Sequence, residues 1–553
     1  MARMKLKVRF HGMHGILWLI VLTTVAWPLA MLLFTGIKEF FAATVDSHHL
    51  FATGDGQAFW NSIWSSLLAT VFAVVIGYAT AWTLHGLPKR LFRVGHAMAL
   101  LPLLIPPFIG AFSWLQAYAR AGLTDITLHF AWAGIFGWLG VVVLLAIHSA
   151  PLAYFACSSA LARVPQQLLN SSRVHGANRL AAFRFAAWPL LRPAFLSASA
   201  LIFAFDIGDF GIPFELGIPG HFQTAATQVY SDLTSETPNG FPSAVALSML
   251  LVLTVIIIMV LSRILNKSRV RSEVVRGRAE GETTSPGNLS PVKKTAFFVL
   301  FAYTFLTVFL PFIATILVAL TKAYGLAPVP ANWDVAGMFR IYTGSTGQAA
   351  LHSVLLAGYA AALVSVFGLV LAELSLSTRL ARWLNLLASV PYALPGTVVG
   401  VAVILAFNRW LYGTSLIIVL AYVARFWGLS DTLVQVRPQV PVTPLRAARV
   451  FGAHKWSGYY FAVFPFLAPV VESAAVLVFI SAVYELTMST LLYTPSSQTL
   501  AVVVLNAEQA GDVRTMAVIS VSMTILIFAA AMMLNHLQAR RSVQKGEKAY
   551  AEI

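Results

Sequence analysis

The sequence predicts an all-α membrane protein of about twelve transmembrane helices, built as two homologous six-helix repeats. Composition is the first reason: 58% of residues are apolar and 10% charged, with a mean hydropathy of +0.78. Soluble domains carry about 25% charged residues. The second reason is a set of apolar runs that can each cross a hydrocarbon core of roughly 30 Å, which takes about 20 residues. Third, the stretch from Pro165 to Pro193 recurs without a gap from Pro441 to Pro469. That offset, 276 positions, is half of the 553-residue chain and marks a whole-chain duplication.

In the first half the runs fall near 15–37, 59–84, 96–119, 133–158, 194–215 and 241–265. In the second they fall near 295–321, 350–376, 383–407, 412–429, 467–493 and 515–537. The basic start of the chain resembles a secretory signal. Its apolar run reaches about 20 residues with no small-residue cleavage site, so a retained first helix is expected. The fifth run of each half is the least regular, interrupted by Asp206, Gly208, Asp209, Gly211 and Pro213 in one copy and by Glu485 in the other. Non-helical backbone at membrane depth needs cover from protein or a water-filled cavity. Residues 1–266 are thus expected to form one six-helix domain and 295–553 a second, joined by a polar tether at 267–294 rich in Gly, Ser, Pro and charge.

An even helix count places both ends of each half on one side. About 31 of the 37 basic residues fall on that side, Arg425 and Arg437 among them, with Lys38, Arg120, Lys322, Arg340, Arg409 and Arg514 opposite. The basic side is cytoplasmic by this rule, so both termini are expected in the cytoplasm. This accounts for the net charge of +16 without invoking nucleic acid. The single cysteine, Cys157, lies in an apolar run and excludes an intrachain disulfide; a small core residue is its expected role.

The repeated stretch is basic in both copies and places a Gly thirteen residues before a Pro. Between Pro165 and Pro189 a pair of short helices broken at Gly176 is expected, because Gly tolerates the positive φ of such a turn. Pro189 and Pro193 then suit the first turn of the next helix, where a missing N–H costs nothing; Gly452, Pro465 and Pro469 repeat the arrangement. An ordinary basic loop that only sets topology explains one copy as well as a docking knob does. Two copies at fixed spacing favour the knob.

The motif stands as SSRVHGA at 171–177 with Pro189, and as AARVFGA at 447–453 with Pro465. It resembles the cytoplasmic coupling loop of binding-protein-dependent ABC importer permeases. The resemblance implies a loop seated in a groove of a separate ATPase subunit, with Arg173, Gly176, Ala177, Pro189, Arg449, Gly452, Ala453 and Pro465 as the corresponding positions. The acidic residue usual six positions before the Gly is Asn170 in one copy and Arg446 in the other, and the position just before the Gly holds His175 and Phe451. Further likeness lies in Asn61-Ser62 with His352-Ser353, in Ile105–Gly110 with Leu394–Gly396, and in 207–217 and 484–492. Together these resemble the fused two-domain permeases of the iron(III) branch. The resemblance implies an inner-membrane permease without cofactor, two ATPase subunits, a periplasmic binding protein and iron(III) as substrate. Importers of thiamine, phosphonate and polyamine share the architecture. In this reading ATP closes the ATPase pair, which draws both loops together and opens the halves outward.

Asp206, Asp209 and Glu485 are candidate pathway residues, and Asp209 and Glu485 coincide at the 276 offset. An ionisable group at membrane depth costs roughly 2.5 kcal/mol or more, so it lines a cavity or meets a partner. The competing reading is that each carboxylate anchors a broken helix by accepting freed backbone N–H groups. His48-His49, Glu373 and the aromatics Trp60, Trp410 and Tyr412 are weaker candidates, read as a polar loop, a buried or interfacial charge, and interfacial anchors. No GxxxxGK[ST], HExxH or GxSxG motif occurs, so ATP hydrolysis is expected on another subunit. The rival from another class is a secondary transporter with internal repeats, which would carry more coupling-ion groups and give the duplicated loop no role.

Overall fold

A computed structural model describes residues 11–45, 54–266 and 291–551, apart from Arg163, Pro165, Arg179, Leu180, Ala182, Glu236, Ser377, Thr378 and Val442. His48-His49, the N-terminal basic tail and residues 267–290 of the tether lie outside this range. The protein is all-α and polytopic. Among the described residues ten helices are long and apolar enough to cross a membrane, and two bent pairs raise the number to twelve. The far end of the expected tether is helical: Pro291 opens the helix Pro291–Thr304, as suits a residue with fixed φ and no N–H.

The bent pairs correct the expected third spans. Neither 96–119 nor 383–407 is one rod: Lys89–Leu104 meets Pro107–Leu128 at 99°, and Leu380–Ala393 meets Gly396–Leu411 at 115°. Proline explains both bends. Ile105 and Leu394 each precede a proline and are extended, with ψ of 123° and 149°, because the Pro ring excludes the α region from the residue before it. The fifth runs break where expected, after Asp206 in Trp188–Asp206 and after Val483 in Phe464–Val483.

Proline also shapes the first span of each half. A five-residue π turn, Leu22–Ala26 in one and Phe305–Phe309 in the other, comes just before Trp27-Pro28 and Leu310-Pro311. The ring removes one i→i−4 hydrogen bond, and a wider turn accommodates it.

Helix contacts divide the protein into two compact units, Met1–Lys38 with Val335–Ile553, and Glu39–Asp334. In the former, the helix His11–Val21 packs on Ser345–Ser375 and Arg379–Ser389. In the latter, Pro291–Thr304 packs on Lys89–Leu104, and Leu310–Leu320 on Pro107–Tyr118. Sequence repeat and compact unit therefore differ: the first helix of each sequence half packs among helices of the other. Cys157 is a buried free thiol in an apolar cluster with Tyr154, Leu161 and Leu191.

Each unit fastens one of its long helices, Asp55–Leu84 or Ser345–Ser375, in the same way. Ser62 Oγ accepts from Ala225 N at 2.7 Å, and Ser353 Oγ accepts from Leu500 N at 2.7 Å. Both serines are buried, and the amides they cap open the helices Ala225–Thr234 and Leu500–Gln509. This gives a physical reason for the Asn61-Ser62 and His352-Ser353 pairs.

In the last turn of Ala225–Thr234, burial raises the Asp232 carboxyl from its ordinary range to about 7, and the Asp55 charge adds to the rise while the Gln228 amide opposes it. The folded protein thus holds this proton more tightly than the unfolded chain. Its stabilising contribution is complete below about pH 4 and is lost as pH rises towards 7. The variant Asp232→Asn is expected to flatten that part of the stability profile. Thermal unfolding of parent and variant in detergent between pH 5 and pH 8 checks it, and parallel profiles would refute it.

Candidate functional site

The two copies of the repeated loop fold alike. The first short helix, Gln166–Val174 in one copy and Thr443–Val450 in the other, carries Arg173 or Arg449 in its last turn. It then stops at a glycine with φ of +83° at Gly176 and +81° at Gly452. Beyond the glycine, Ala177 N donates to Ser172 O at 3.0 Å and Ala453 N to Ala448 O at 2.9 Å. Gly452 N also donates to Arg449 O at 3.1 Å. These six-to-one and five-to-two bonds are a Schellman cap, which requires a left-handed residue at its centre.

After the cap the chain re-enters helix. Asn178 Oδ1 accepts from Ala181 N at 2.8 Å, and His454, the matching residue, accepts from Trp456 N. Pro189 and Pro465 stand in the opening residues of Trp188–Asp206 and Phe464–Val483, as expected. Pro193 and Pro469 do not: both lie inside the helix, about one turn further on. The missing Pro193 N–H leaves the Pro189 carbonyl without its helical donor, so the start of this helix is weakly bonded.

The sequence reading missed the apolar tip of each loop. Val174, Val450 and Phe451 are 85%, 84% and 87% exposed, among the most exposed apolar side chains in the protein. Phe461 and Trp456, on the helix that follows in the second copy, are exposed as well. Arg449 Nε is buried and finds no acceptor among the described residues. The signal for the tip was available, since an apolar residue precedes the glycine turn in both copies, but hydropathy alone does not say which apolar residues stay uncovered.

The polar candidates lie at the breaks of the fifth spans. Asp206, at the end of its helix, is buried and accepts from Ser149 Oγ. Asp209 Oδ1 accepts from Ile212 N at 2.9 Å. In the other unit Glu485 is buried, and its Oε1 accepts from Met488 N at 2.9 Å and from Arg425 at 3.1 Å. Asp209 and Glu485 thus make the same bond, three residues ahead, at matched positions of the duplication. Ser149 and Arg425 are likewise matched, so a neutral donor in one copy corresponds to a cation in the other. Asp206 and Asp209 share one break.

Two basic residues assigned to the cytoplasmic face have other duties. Arg425 is spent on the Glu485 pair, and Arg437 is buried against Glu373. Room for the first pair comes from Gly396, where an added Cβ would lie 2.0 Å from Arg425 Nη1 and 2.9 Å from Glu485 Oε1. Among the described residues no group of three or more His, Cys, Asp or Glu side chains is placed to hold a metal ion. Trp60, Trp410 and Tyr412 are all exposed, so none of them forms a closed cage.

The family model for the binding-protein-dependent transport system inner membrane component matches residues 73–271. The molybdenum transport system permease protein ModB of Escherichia coli K12 is 31% identical over 211 residues, which are 37% of this chain and 91% of ModB. The chain belongs to this family of ABC-importer permeases. Two further relatives run along most of the permease. The ferric transport system permease protein FbpB of Actinobacillus pleuropneumoniae is 24% identical over 475 residues, 82% of this chain and 67% of that protein. The Fe(3+)-transport system permease protein FbpB 2 of Haemophilus influenzae is 25% identical over 456 residues, 80% of this chain and 82% of that one. As a permease of this family the protein is a membrane transport subunit and not an enzyme. Membership implies an ATPase and a substrate-binding protein as partners.

Proposed function

We propose that this permease forms the translocation pathway for iron(III) delivered by a periplasmic binding protein. Two homologous halves, 1–266 and 295–553, are joined by the tether 267–294, with both termini in the cytoplasm. The observation that carries the substrate is coverage: the ferric relatives align with 82% and 80% of this chain, whereas ModB aligns with 37%. A molybdenum substrate is the second reading, favoured by the higher identity of 31% over that shorter stretch.

In this mechanism the loops around Gly176 and Gly452 seat in grooves of two ATPase subunits. The exposed Val174, Val450 and Phe451 offer the apolar contact, and Arg173 and Arg449 the charge. ATP binding draws the loops together and hydrolysis resets them. Each loop leads through a short linker into a fifth-span helix that ends at Asp206 or near Glu485. A movement of the loop therefore reaches the break where the buried carboxylates sit. Those carboxylates hold the broken backbone in register, and Asp206, Asp209 and Glu485 give the pathway its polar positions.

The test is ATP hydrolysis by the reconstituted permease with its ATPase subunits, titrated with binding protein loaded with iron(III), molybdate, thiamine, a phosphonate or a polyamine. Stimulation by the iron(III)-loaded form is expected. Stimulation by another loaded form alone would replace the substrate, and failure of any ATPase to associate would refute the coupling role.

A further inference from the structure

Glu373 sits at the end of Ser345–Ser375, and its carboxylate joins two residues from different elements. Arg437, in the short turn Arg437–Gln439, donates to it through both Nε and Nη2, the latter at 3.0 Å. Tyr459 Oη donates to the same carboxylate at 2.9 Å. Tyr459 belongs to Lys455–Ala462, the helix that follows the Gly452 turn directly. Burial raises the Tyr459 hydroxyl well above its ordinary range, and the Glu373 charge raises it further, so it stays a donor. The Arg437 side chain is 5% exposed, and a cation so buried depends on its counter-ion.

The other copy does this job with different chemistry. Phe183 stands where Tyr459 does, eighteen residues after the opening proline of the repeat, and Leu161 stands where Arg437 does. Counting from the matched serines Ser62 and Ser353, the counterpart of Glu373 is Trp82. Trp82 and Phe183 pack edge to face with centroids 5.8 Å apart, and Phe183 joins the apolar cluster that contains Leu161. All three polar members of one copy are thus apolar in the other.

We infer that Glu373, Arg437 and Tyr459 are positioning residues forming a polar clamp that gears the second coupling loop to Ser345–Ser375, with no polar counterpart in the first copy. This rests on the coupling role proposed above for the loops. Bidentate and hydroxyl bonds are directional, so they hold rotation and register. An edge-to-face aromatic contact carries far less directional force. From Glu373 the helix runs back to Ser353, which caps the Leu500 amide, so a displacement at Gly452 is carried along one rigid element to the helix Leu500–Gln509. Transport coupled to ATP hydrolysis consequently depends on the charge at position 373, whereas the first copy needs only apolar volume at 82.

The experiment compares parent, Glu373→Gln, Tyr459→Phe, Gly452→Val and the triple variant Glu373→Trp, Arg437→Leu, Tyr459→Phe. Each is reconstituted with the ATPase subunits and with iron(III)-loaded or molybdate-loaded binding protein, whichever stimulates hydrolysis. Substrate moved per ATP, the maximal rate, the binding-protein concentration at half-maximal rate and co-purification of the ATPase are read together. Glu373→Gln is expected to lower substrate moved per ATP about tenfold, a size typical of couplings carried between sites. The half-maximal concentration and ATPase co-purification should be unchanged. Tyr459→Phe gives a smaller loss in the same direction, and the triple variant, which replaces the polar clamp by the apolar contact of the first copy, stays at least as uncoupled as Glu373→Gln. If Glu373→Gln does not assemble, Tyr459→Phe, which removes one hydroxyl, decides alone. Parent-like ratios in the clamp variants, with Gly452→Val uncoupled, would overturn the clamp and leave the coupling role standing. Parent-like ratios in all variants, Gly452→Val included, would overturn both.

Discussion

Valine in place of Gly176 or Gly452 is expected to uncouple ATP hydrolysis from transport, with about a tenfold loss of uptake in each single variant and more in the double. Steric crowding is not the cause, since a Cβ added at either glycine meets nothing within 4 Å. The cost lies in the backbone. At φ of +83° and +81° an L-residue pays roughly 1–2 kcal/mol, and a β-branched one sits at the unfavourable end. The cap would open and release the Ala177–Ser172 and Ala453–Ala448 bonds that set the angle between the two short helices. Asn supplies the control, because it tolerates the left-handed region far better. Gly176→Asn and Gly452→Asn should therefore keep most of the uptake. Uptake equal to the parent in both valine variants would remove the loops from the mechanism.

Loss of Arg425 should cost about 3–5 kcal/mol of stability, because it leaves Glu485 buried without its cation. The variant Arg425→Leu tests this by thermal unfolding of the solubilised permease. Glu485→Gln should cost less, since its amide oxygen can still accept from Met488 N while Arg425, 18% exposed, regains some water. The double variant Arg425→Leu, Glu485→Gln should then be more stable than Arg425→Leu alone, as removal of both charges lifts the desolvation cost. Single variants within about 0.5 kcal/mol of the parent would mean that the pair contributes nothing to the fold.

Much of this protein was legible in one dimension. Hydropathy runs predicted the apolar helices because the bilayer acts on each segment separately: a run of sufficient length is stable across it whatever its neighbours. The fifth-span breaks were visible in the clustering of Asp206, Gly208, Asp209 and Gly211, and the glycine turns in the duplication itself. Both follow from local rules, namely which residues tolerate a positive φ and which cannot cross lipid unpaired. The prolines at 106 and 395 stood in plain view too, but the bends of 99° and 115° did not, since a proline permits a kink without setting its angle.

Tertiary structure alone decided the partners. Counted by sign, Arg425 and Arg437 looked like two more cytoplasmic charges; packed, each is held by a carboxylate 60 or 64 residues away. Glu373 was ambiguous for the same reason, as its role depends on a guanidinium and a hydroxyl brought in by other elements. The first helices packed among the other half's helices were equally hidden, because an apolar stripe carries no label for the stripe it will cover. Periodicity and hydropathy record how a segment meets its solvent. Which segment it meets instead is settled by shape and by the pairing of buried charges, and neither is a property of one stretch of chain.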